Sequence, residues 1–172
     1  VAGVVPWNFP LMIGCFKLAP AVLAGNTFIL KPPATTPLCV LKLADICQQI
    51  FPKGVVNIIT DNNDLGHILS AHPDVAKVAF TGSTPTGKKI MSAASGTLKR
   101  LTLELGGNDA GIVLPDVDPK KIAPAIFATA FMNCGQVCIA LKRLYVHEDI
   151  YDDLVHELSE LANSAVVGNG LH

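Results

Sequence analysis

The sequence predicts an α/β protein whose strands form a doubly wound, mostly parallel sheet, and two observations support this prediction. Short apolar runs of the kind found in buried strands alternate with longer stretches in which apolar residues recur at helical spacing. Glycine and proline stand at many of the boundaries between them. Strands that alternate with helices usually pair in parallel, and right-handed crossovers then cover both faces of the sheet. The expected architecture is therefore Rossmann-like.

The composition indicates a protein that acts on a small molecule. The 172 residues carry a formal net charge of -1, and lysine and arginine are scattered singly, which leaves no basic stripe for a nucleic acid. Charges interrupt every long apolar run, so we expect no membrane span, which needs roughly 20 apolar residues. The five cysteines lack paired spacing, and this favours a reducing cytoplasm. The high apolar content predicts surfaces that more chain or a partner subunit would cover.

The first half of the chain divides into four strands and three helices. The first helix is expected to end at Gly25 and to have a kink at Pro20. The second helix is expected to begin with Thr36 as its N-cap and Pro37 at its first position. In order, the expected elements are a strand over 1–5, a helix over 10–24, a strand over 27–30, a helix over 37–51, a strand over 55–59, a short helix over 64–71 and a strand over 77–81.

The second half continues the alternation. Asp118 and Pro119 are typical of a helix start, and the last helix is amphipathic, with an end expected near Gly168. The expected elements are a helix that reaches 95, strands over 101–105 and 110–114, a helix over 119–132, a strand over 143–147 and the final helix.

The turn over residues 82–87, Gly-Ser-Thr-Pro-Thr-Gly, lies between a predicted strand and a predicted helix. Gly82 allows close approach to the backbone, Ser83 precedes the helix start, and the first helical N–H groups favour an anion. Gly82 and Gly87 are five residues apart, and this spacing of glycines differs from that of the usual dinucleotide-binding and P-loop motifs. The turn is compatible with a phosphate site and, by itself, with an ordinary strand-to-helix connection.

Glu104 lies at the end of a strand whose leucines alternate with Thr102 and Glu104. A glutamate among leucines can act as a general base if burial raises its pKa. The alternative is a carboxylate that is solvated or bound to a cation. Both interpretations remain open on the sequence of this strand.

Cys138 is the candidate nucleophile, because it follows Gly135 in a stretch that predicts an exposed loop. Free backbone N–H groups in such a loop lower the pKa of a thiol and can bind an oxyanion. The alternative is a small buried apolar side chain. A zinc pair with Cys134 is not expected, because no second pair or nearby histidine accompanies it.

Asn8 and Lys31 join Gly82 and Glu104 at the carboxyl ends of four different predicted strands. A loop asparagine is often a turn former, but its amide can also donate to an oxyanion. The carboxyl ends of parallel strands share one edge of the sheet, where ligands bind in doubly wound folds. The sequence therefore predicts one site at this edge.

Five motifs in this order resemble the NAD(P)-dependent aldehyde dehydrogenase superfamily: Pro-Trp-Asn-Phe-Pro, Leu-Lys-Pro, Phe-Thr-Gly-Ser-Thr-x-x-Gly, Leu-Glu-Leu-Gly-Gly-Asn and Asn-x-Gly-Gln-x-Cys. The resemblance covers essentially the whole chain. It implies that Cys138 attacks an aldehyde, that Glu104 activates the water that hydrolyses the resulting thioester, and that the Asn8 amide and the Cys138 N–H hold the oxyanion.

The resemblance also implies a dinucleotide cofactor. Lys31 would contact the adenosine ribose, and the other implied contacts are Trp7, Gly82, Ser83, Gly87, Leu105 and Gly106. Many NAD-preferring members carry a glutamate three residues after this lysine, where the chain has Ala34. Ala34 leaves room for a 2'-phosphate, so the sequence leaves NAD and NADP open.

The resemblance implies that residues 1–105 form a cofactor-binding domain and that residues 106–172 begin an α/β catalytic domain. The chain is therefore expected to be an internal fragment, inactive alone, of an enzyme that forms homo-oligomers. Two alternatives are a CoA-acylating semialdehyde dehydrogenase, which characteristically lacks the base, and a non-catalytic cofactor-binding relative or inert fragment. Glu104 argues against the first of these.

Overall fold

The structure, a computed structural model, describes residues 1–171. The chain forms two compact units, one over Val1–Gly106 and one that begins at Gly107. Each has its own sheet and its own buried cluster of side chains.

The first unit is a five-stranded sheet with four helices. Its strands are β1 (Ala2–Val4), β2 (Phe28–Lys31), β3 (Val56–Ile58), β4 (Lys77–Thr81) and β5 (Arg100–Glu104). They lie in the order β3-β2-β1-β4-β5, and every neighbouring pair is parallel. The helices are α1 (Pro10–Leu23), α2 (Leu38–Ile50), α3 (Gly66–Ala71) and α4 (Thr84–Ser95). This arrangement confirms the doubly wound, Rossmann-like sheet expected from the sequence.

The alternation of side chains along the strands explains why helices cover both faces of this sheet. Ala2 and Val4 point to one face, where α3 and α4 pack, whereas Phe28 and Leu30 point to the other, where α1 and α2 pack. The first cluster contains Ala2, Val4, Leu69, Val75, Val78, Phe80 and Ile90. The second contains Val5, Leu18, Ala21, Phe28, Leu30, Val40 and Cys47. The resulting core holds the strand ends in place.

The second unit is a two-stranded parallel sheet with two helices. β6 (Asp109–Val113) pairs with β7 (Leu141–Val146), and the helices are α5 (Pro119–Phe131) and α6 (Tyr151–Ser164). The Asp118 carboxylate accepts a hydrogen bond of 3.0 Å from the Lys120 N–H, so the predicted cap of α5 is confirmed. Val113, Ala123 and Leu154 form the buried centre of this unit.

Two local predictions are wrong. Thr36 does not cap α2, because its hydroxyl donates instead to the Trp7 carbonyl oxygen at 3.2 Å. The last helix ends at Ser164 rather than near Gly168, since Ala165 is extended. Val166 and Val167 are almost fully exposed, and apolar residues that bury nothing do not sustain a helix.

None of the helices between residues 1 and 171 is long and apolar enough to cross a membrane.

Candidate active site

Four of the residues singled out in the sequence lie at one edge of the first sheet. Lys31 and Glu104 are the last residues of β2 and β5, Gly82 directly follows β4, and Asn8 lies in the loop that follows β1. Because the strands are parallel, their carboxyl ends meet at this edge. We refer to it below as the carboxyl edge.

The strand order reverses direction at the centre of the carboxyl edge. From β1 the chain builds outward through β2 and β3, and it then returns to the other side of β1 for β4 and β5. The reversal lies between β1 and β4, and such a switch point is where doubly wound sheets bind ligands. The loop that carries Trp7 and Asn8 leaves β1 at this point, and the turn at Gly82 leaves β4 beside it.

The start of α4 has the features of a phosphate site. The Ser83 hydroxyl oxygen accepts a hydrogen bond from the Thr86 N–H at 3.4 Å and lies 2.9 Å from the Thr86 hydroxyl. The first turn of α4 contains no acidic residue, and the first N–H groups of a helix have no acceptor within it. A Cβ on Gly87 would lie 2.7 Å from a Leu105 methyl carbon, so α4 packs closely against the end of β5.

Thr81 adds a second polar group beside this turn. It is the last residue of β4, is 6% exposed, and its hydroxyl has no hydrogen-bond partner among residues 1–171. A buried hydroxyl without a partner is costly in a folded protein unless a ligand or water completes it. The residues at the end of β4 therefore fit a bound phosphate-containing group.

Lys31 is buried at the end of β2 and forms an ion pair with Asp61. Its Nζ lies 2.8 Å from Asp61 Oδ1. Burial acts to raise the pKa of Asp61, but the hydrogen bond from Lys31, the N–H of Leu65, the Lys31 charge and the N–H of Asn63 together lower it. The Asp61 carboxylate is therefore held in its charged form.

Glu104 is exposed at the end of β5, and its negative charge affects the pKa of Lys17 in α1. Burial lowers the pKa of the Lys17 ammonium in α1, the Glu104 carboxylate acts to raise it, and the Lys77 ammonium lowers it further.

Cys138 lies in the second unit, after three consecutive residues in the left-handed conformation. Asn133, Cys134 and Gly135 have φ values of 51°, 56° and 72°. The side-chain amide of Asn133 donates to the Gln136 carbonyl oxygen at 3.4 Å, and the Gln136 amide donates to the Asn133 carbonyl oxygen at 3.3 Å. Left-handed backbone is strained for any residue but glycine, and it persists where surrounding contacts enforce it.

Buried neighbours fix the turn that contains Cys138. Val137 and Ala140 are 7% and 2% exposed, and the Ala140 N–H donates to the Val137 carbonyl oxygen at 3.2 Å. Lys142 Nζ donates to the same oxygen at 3.0 Å. Cys138 is partly buried, whereas Cys134 is exposed. The structure thus gives the two cysteines different surroundings, and only Cys138 lies in the anchored turn.

A comparison with known protein families identifies the family of this chain. A sequence model described as the aldehyde dehydrogenase family matches residues 1–172. The chain belongs to the aldehyde dehydrogenase family. The resemblance drawn from the five motifs is thereby confirmed.

Individual aldehyde dehydrogenases and related structures match nearly all of the chain. Phenylacetaldehyde dehydrogenase from Pseudomonas fluorescens is 49% identical over 173 residues, which cover 99% of this chain and 34% of that protein. An NADP-dependent enzyme from Escherichia coli superposes with a TM-score of 0.95 at 37% identity and covers 100% of this chain and 36% of its own. Aldehyde dehydrogenase C from Pseudomonas syringae, a mutant solved with NAD+ and octanal, gives a TM-score of 0.94 at 35% identity, with coverages of 99% and 36%. The chain thus spans about a third of the length of these relatives.

Three residues of this aldehyde dehydrogenase chain escaped the sequence analysis. Lys17 is the only charged residue of α1, and a lone charge in an apolar helix is a signal that could have identified it. Asp61 follows β3 at the carboxyl edge, so the same reasoning that selected Lys31 applies to it. Gly107 is a third, because it stands too close to Cys138 for any side chain.

Proposed function

We propose that the protein containing this chain oxidises an aldehyde to a carboxylic acid with NAD or NADP. The observation that carries this proposal is the anchored, partly buried Cys138 turn in a chain of the aldehyde dehydrogenase family. A cysteine nucleophile needs an accessible sulfur in a fixed position, and the left-handed residues before the turn provide the fixed position.

Cys138 is proposed as the nucleophile. Its thiolate Sγ adds to the carbonyl carbon of the aldehyde and forms a thiohemiacetal, whose oxygen carries the developing negative charge. The Asn8 side-chain amide and the Cys138 backbone N–H are proposed to donate hydrogen bonds to that oxygen. Oxidation of the thiohemiacetal leaves a thioester on Cys138.

The carboxyl edge is proposed to hold the dinucleotide. The start of α4, with Gly82, Ser83 and Gly87, would bind the pyrophosphate, and Lys31 would bind the adenosine ribose. Trp7 and the backbone of Leu105 and Gly106 are proposed as the remaining contacts. When bound, NAD or NADP supplies the hydride acceptor for the oxidation.

Glu104 is proposed as the general base of the second half of the reaction. Its carboxylate takes a proton from water, which then attacks the thioester carbon and releases the carboxylic acid from Cys138. Burial lowers the pKa of the Lys17 ammonium and the charge of Glu104 opposes that shift, so Lys17 is proposed to help position the Glu104 carboxylate.

We also propose that the chain is divided into two functional domains. Residues 1–105 would bind the cofactor and residues 106–172 would begin the catalytic domain.

All five cysteines are free, which supports a cytoplasmic protein. Exposed side chains such as Leu23 and Leu98, 90% and 91% exposed, support a homo-oligomer in which apolar surface is covered.

The test is an aldehyde oxidation assay on the complete protein that contains these residues. Phenylacetaldehyde and octanal are the first substrates to use, because one relative is a phenylacetaldehyde dehydrogenase and another was solved with octanal. Cys138→Ala should abolish NAD(P)H formation, whereas Cys134→Ala, the matched control, should retain most of it. Equal losses in the two variants, or turnover in Cys138→Ala, would remove Cys138 from the nucleophile role.

A further inference from the structure

The ion pair of Lys31 and Asp61 is buried at the carboxyl edge. The side chains of Lys31 and Asp61 are 6% and 0% exposed. Of the three donors of the Lys31 ammonium, one reaches Asp61 at 2.8 Å and one the Pro32 carbonyl oxygen at 3.4 Å. One donor remains for a ligand.

Asp61 is held from its other side as well. Its Oδ2 accepts a hydrogen bond from the Leu65 N–H at 2.8 Å, and the Asn63 N–H also contributes. With both oxygens engaged, the carboxylate cannot turn away from Lys31 without losing a hydrogen bond. The pair is therefore a fixed, electrically neutral group, not a free cation.

The position of the pair relative to α4 suggests which part of a nucleotide it meets. β1 lies between β2 and β4, so the ends of β2 and β4 are two strand spacings apart, or roughly 10 Å. A ribose attached to a pyrophosphate at the start of α4 can extend along the carboxyl edge toward β2. In doubly wound dinucleotide-binding folds, an acidic side chain near the ribose binds the 2'-hydroxyl of NAD, and a free cation accommodates the 2'-phosphate of NADP.

We propose that Asp61, paired with Lys31, makes this cofactor site select NAD over NADP, an inference that rests on the cofactor site of the function proposed above. A 2'-hydroxyl can accept a hydrogen bond from the remaining Lys31 donor, and it leaves the ion pair intact. A 2'-phosphate, with a charge near −2, would have to compete with Asp61 for Lys31 and would be repelled by the carboxylate. Asp61 thus supplies, from the loop after β3, the negative charge that Ala34 does not supply after β2.

The experiment measures dinucleotide binding directly. Dissociation constants for NAD+ and NADP+ are determined by isothermal titration calorimetry on the complete protein, at one fixed salt concentration. The wild type should bind NAD+ about tenfold or more tightly than NADP+. Asp61→Asn, which keeps the shape and removes the charge, should reduce this ratio by about tenfold, chiefly because NADP+ binds more tightly.

Asp45→Asn is the matched control. Asp45 also pairs with a lysine, Lys42 at 3.1 Å, but on the exposed surface of α2. The Asp45→Asn variant should bind NAD+ and NADP+ with dissociation constants within about twofold of the wild-type values. Wild-type protein that binds NADP+ as tightly as NAD+, or a folded Asp61→Asn variant with an unchanged ratio, would overturn the inference.

A second measurement needs no variant, in case Asp61→Asn does not fold. Adenosine 5'-monophosphate and adenosine 2',5'-bisphosphate are titrated into the wild type, and the added 2'-phosphate should weaken binding by about tenfold. Equal or tighter binding of the bisphosphate contradicts the inference. If neither dinucleotide binds, the inference and the cofactor site fall together. If the dinucleotides bind with the expected ratio but no aldehyde is oxidised, only the proposed function fails.

Discussion

The backbone of Gly107 lies directly against the carbonyl oxygen of Cys138. A Cβ built on Gly107 would stand 2.6 Å from that oxygen and 2.5 Å from Asp109 Oδ1. Real Cβ atoms do not approach other atoms so closely, so a side chain at Gly107 would force the Cys138 turn, the start of β6, or both to move. Glycine at this position is a condition for the observed placement of Cys138.

Gly107→Ala should therefore lower kcat for aldehyde oxidation. A displacement of about 1 Å in a reacting group costs on the order of a hundredfold in rate, and we expect a loss of about that size. Steady-state kinetics measure the loss, and circular dichroism establishes that the variant is folded. Gly96→Ala is the control, because Gly96 has open space around it and helical dihedral angles. A folded Gly107→Ala variant with wild-type kcat would contradict the positioning role.

Glu104→Gln should separate the two halves of the proposed reaction. Loss of the base leaves the thiol addition and the oxidation intact, but the thioester on Cys138 is then hydrolysed slowly. Rapid mixing should show one burst of NAD(P)H followed by slow turnover, and mass spectrometry should detect an acylated protein. Glu160→Gln, on an exposed position of α6, should behave as the wild type. Steady turnover without a burst in Glu104→Gln would exclude Glu104 as the base.

Gly135→Ala should destabilise the second unit without a steric clash. Gly135 has a φ of 72°, and its Cβ would meet only the Ala130 carbonyl oxygen, at 3.4 Å. The cost is therefore mainly that of left-handed backbone, and the free energy of unfolding should fall by about 1 kcal/mol. Urea unfolding measures this change. Gly96→Ala again serves as the control, and equal stability of the two variants would show that the left-handed turn relaxes freely.

The ion pair of Lys31 and Asp61 predicts a dependence of stability on pH. The pKa of Asp61 in the folded chain lies below the unfolded value of 3.8. At pH values between these two pKa values, the unfolded chain therefore binds more protons than the folded chain. The contribution of Asp61 to stability is thus fully present well above pH 3.8 and is lost as the pH falls through the folded pKa. Asp61→Asn should reduce the loss of stability at low pH, which we call the acid limb of the stability curve. Urea unfolding measured between about pH 2 and about pH 6 covers the titration of Asp61.

Asp45→Asn provides the comparison for the acid limb. Its partner Lys42 is exposed, and exposed ion pairs contribute little, so the pH dependence should stay close to that of the wild type. An Asp61→Asn variant that keeps the wild-type acid limb would mean that the buried pair does not stabilise the folded state.

The sequence by itself determined the local features of the fold. The apolar run of β4 and the start of α4 after Ser83 depend on neighbours within a few residues, and the structure shows both where they were expected. The alternation in β5 likewise predicted that its leucines lie on one face and that Thr102 and Glu104 lie on the other. The structure shows the leucines partly buried and Glu104 exposed. Parallel pairing followed from the alternation of elements and brought Asn8, Lys31, Gly82 and Glu104 to one edge.

The tertiary structure alone decided which distant residues act on one another. The pairing of Lys31 with Asp61, the effect of Glu104 on Lys17 and the approach of Gly107 to Cys138 each join different elements. Side-chain period and turn chemistry are short-range signals, whereas these contacts depend on strand order, register and helix packing, which are fixed only when the core forms. Thr36 shows the same limit: its residue type suits a helix cap, but in the folded chain the Trp7 carbonyl oxygen is its acceptor.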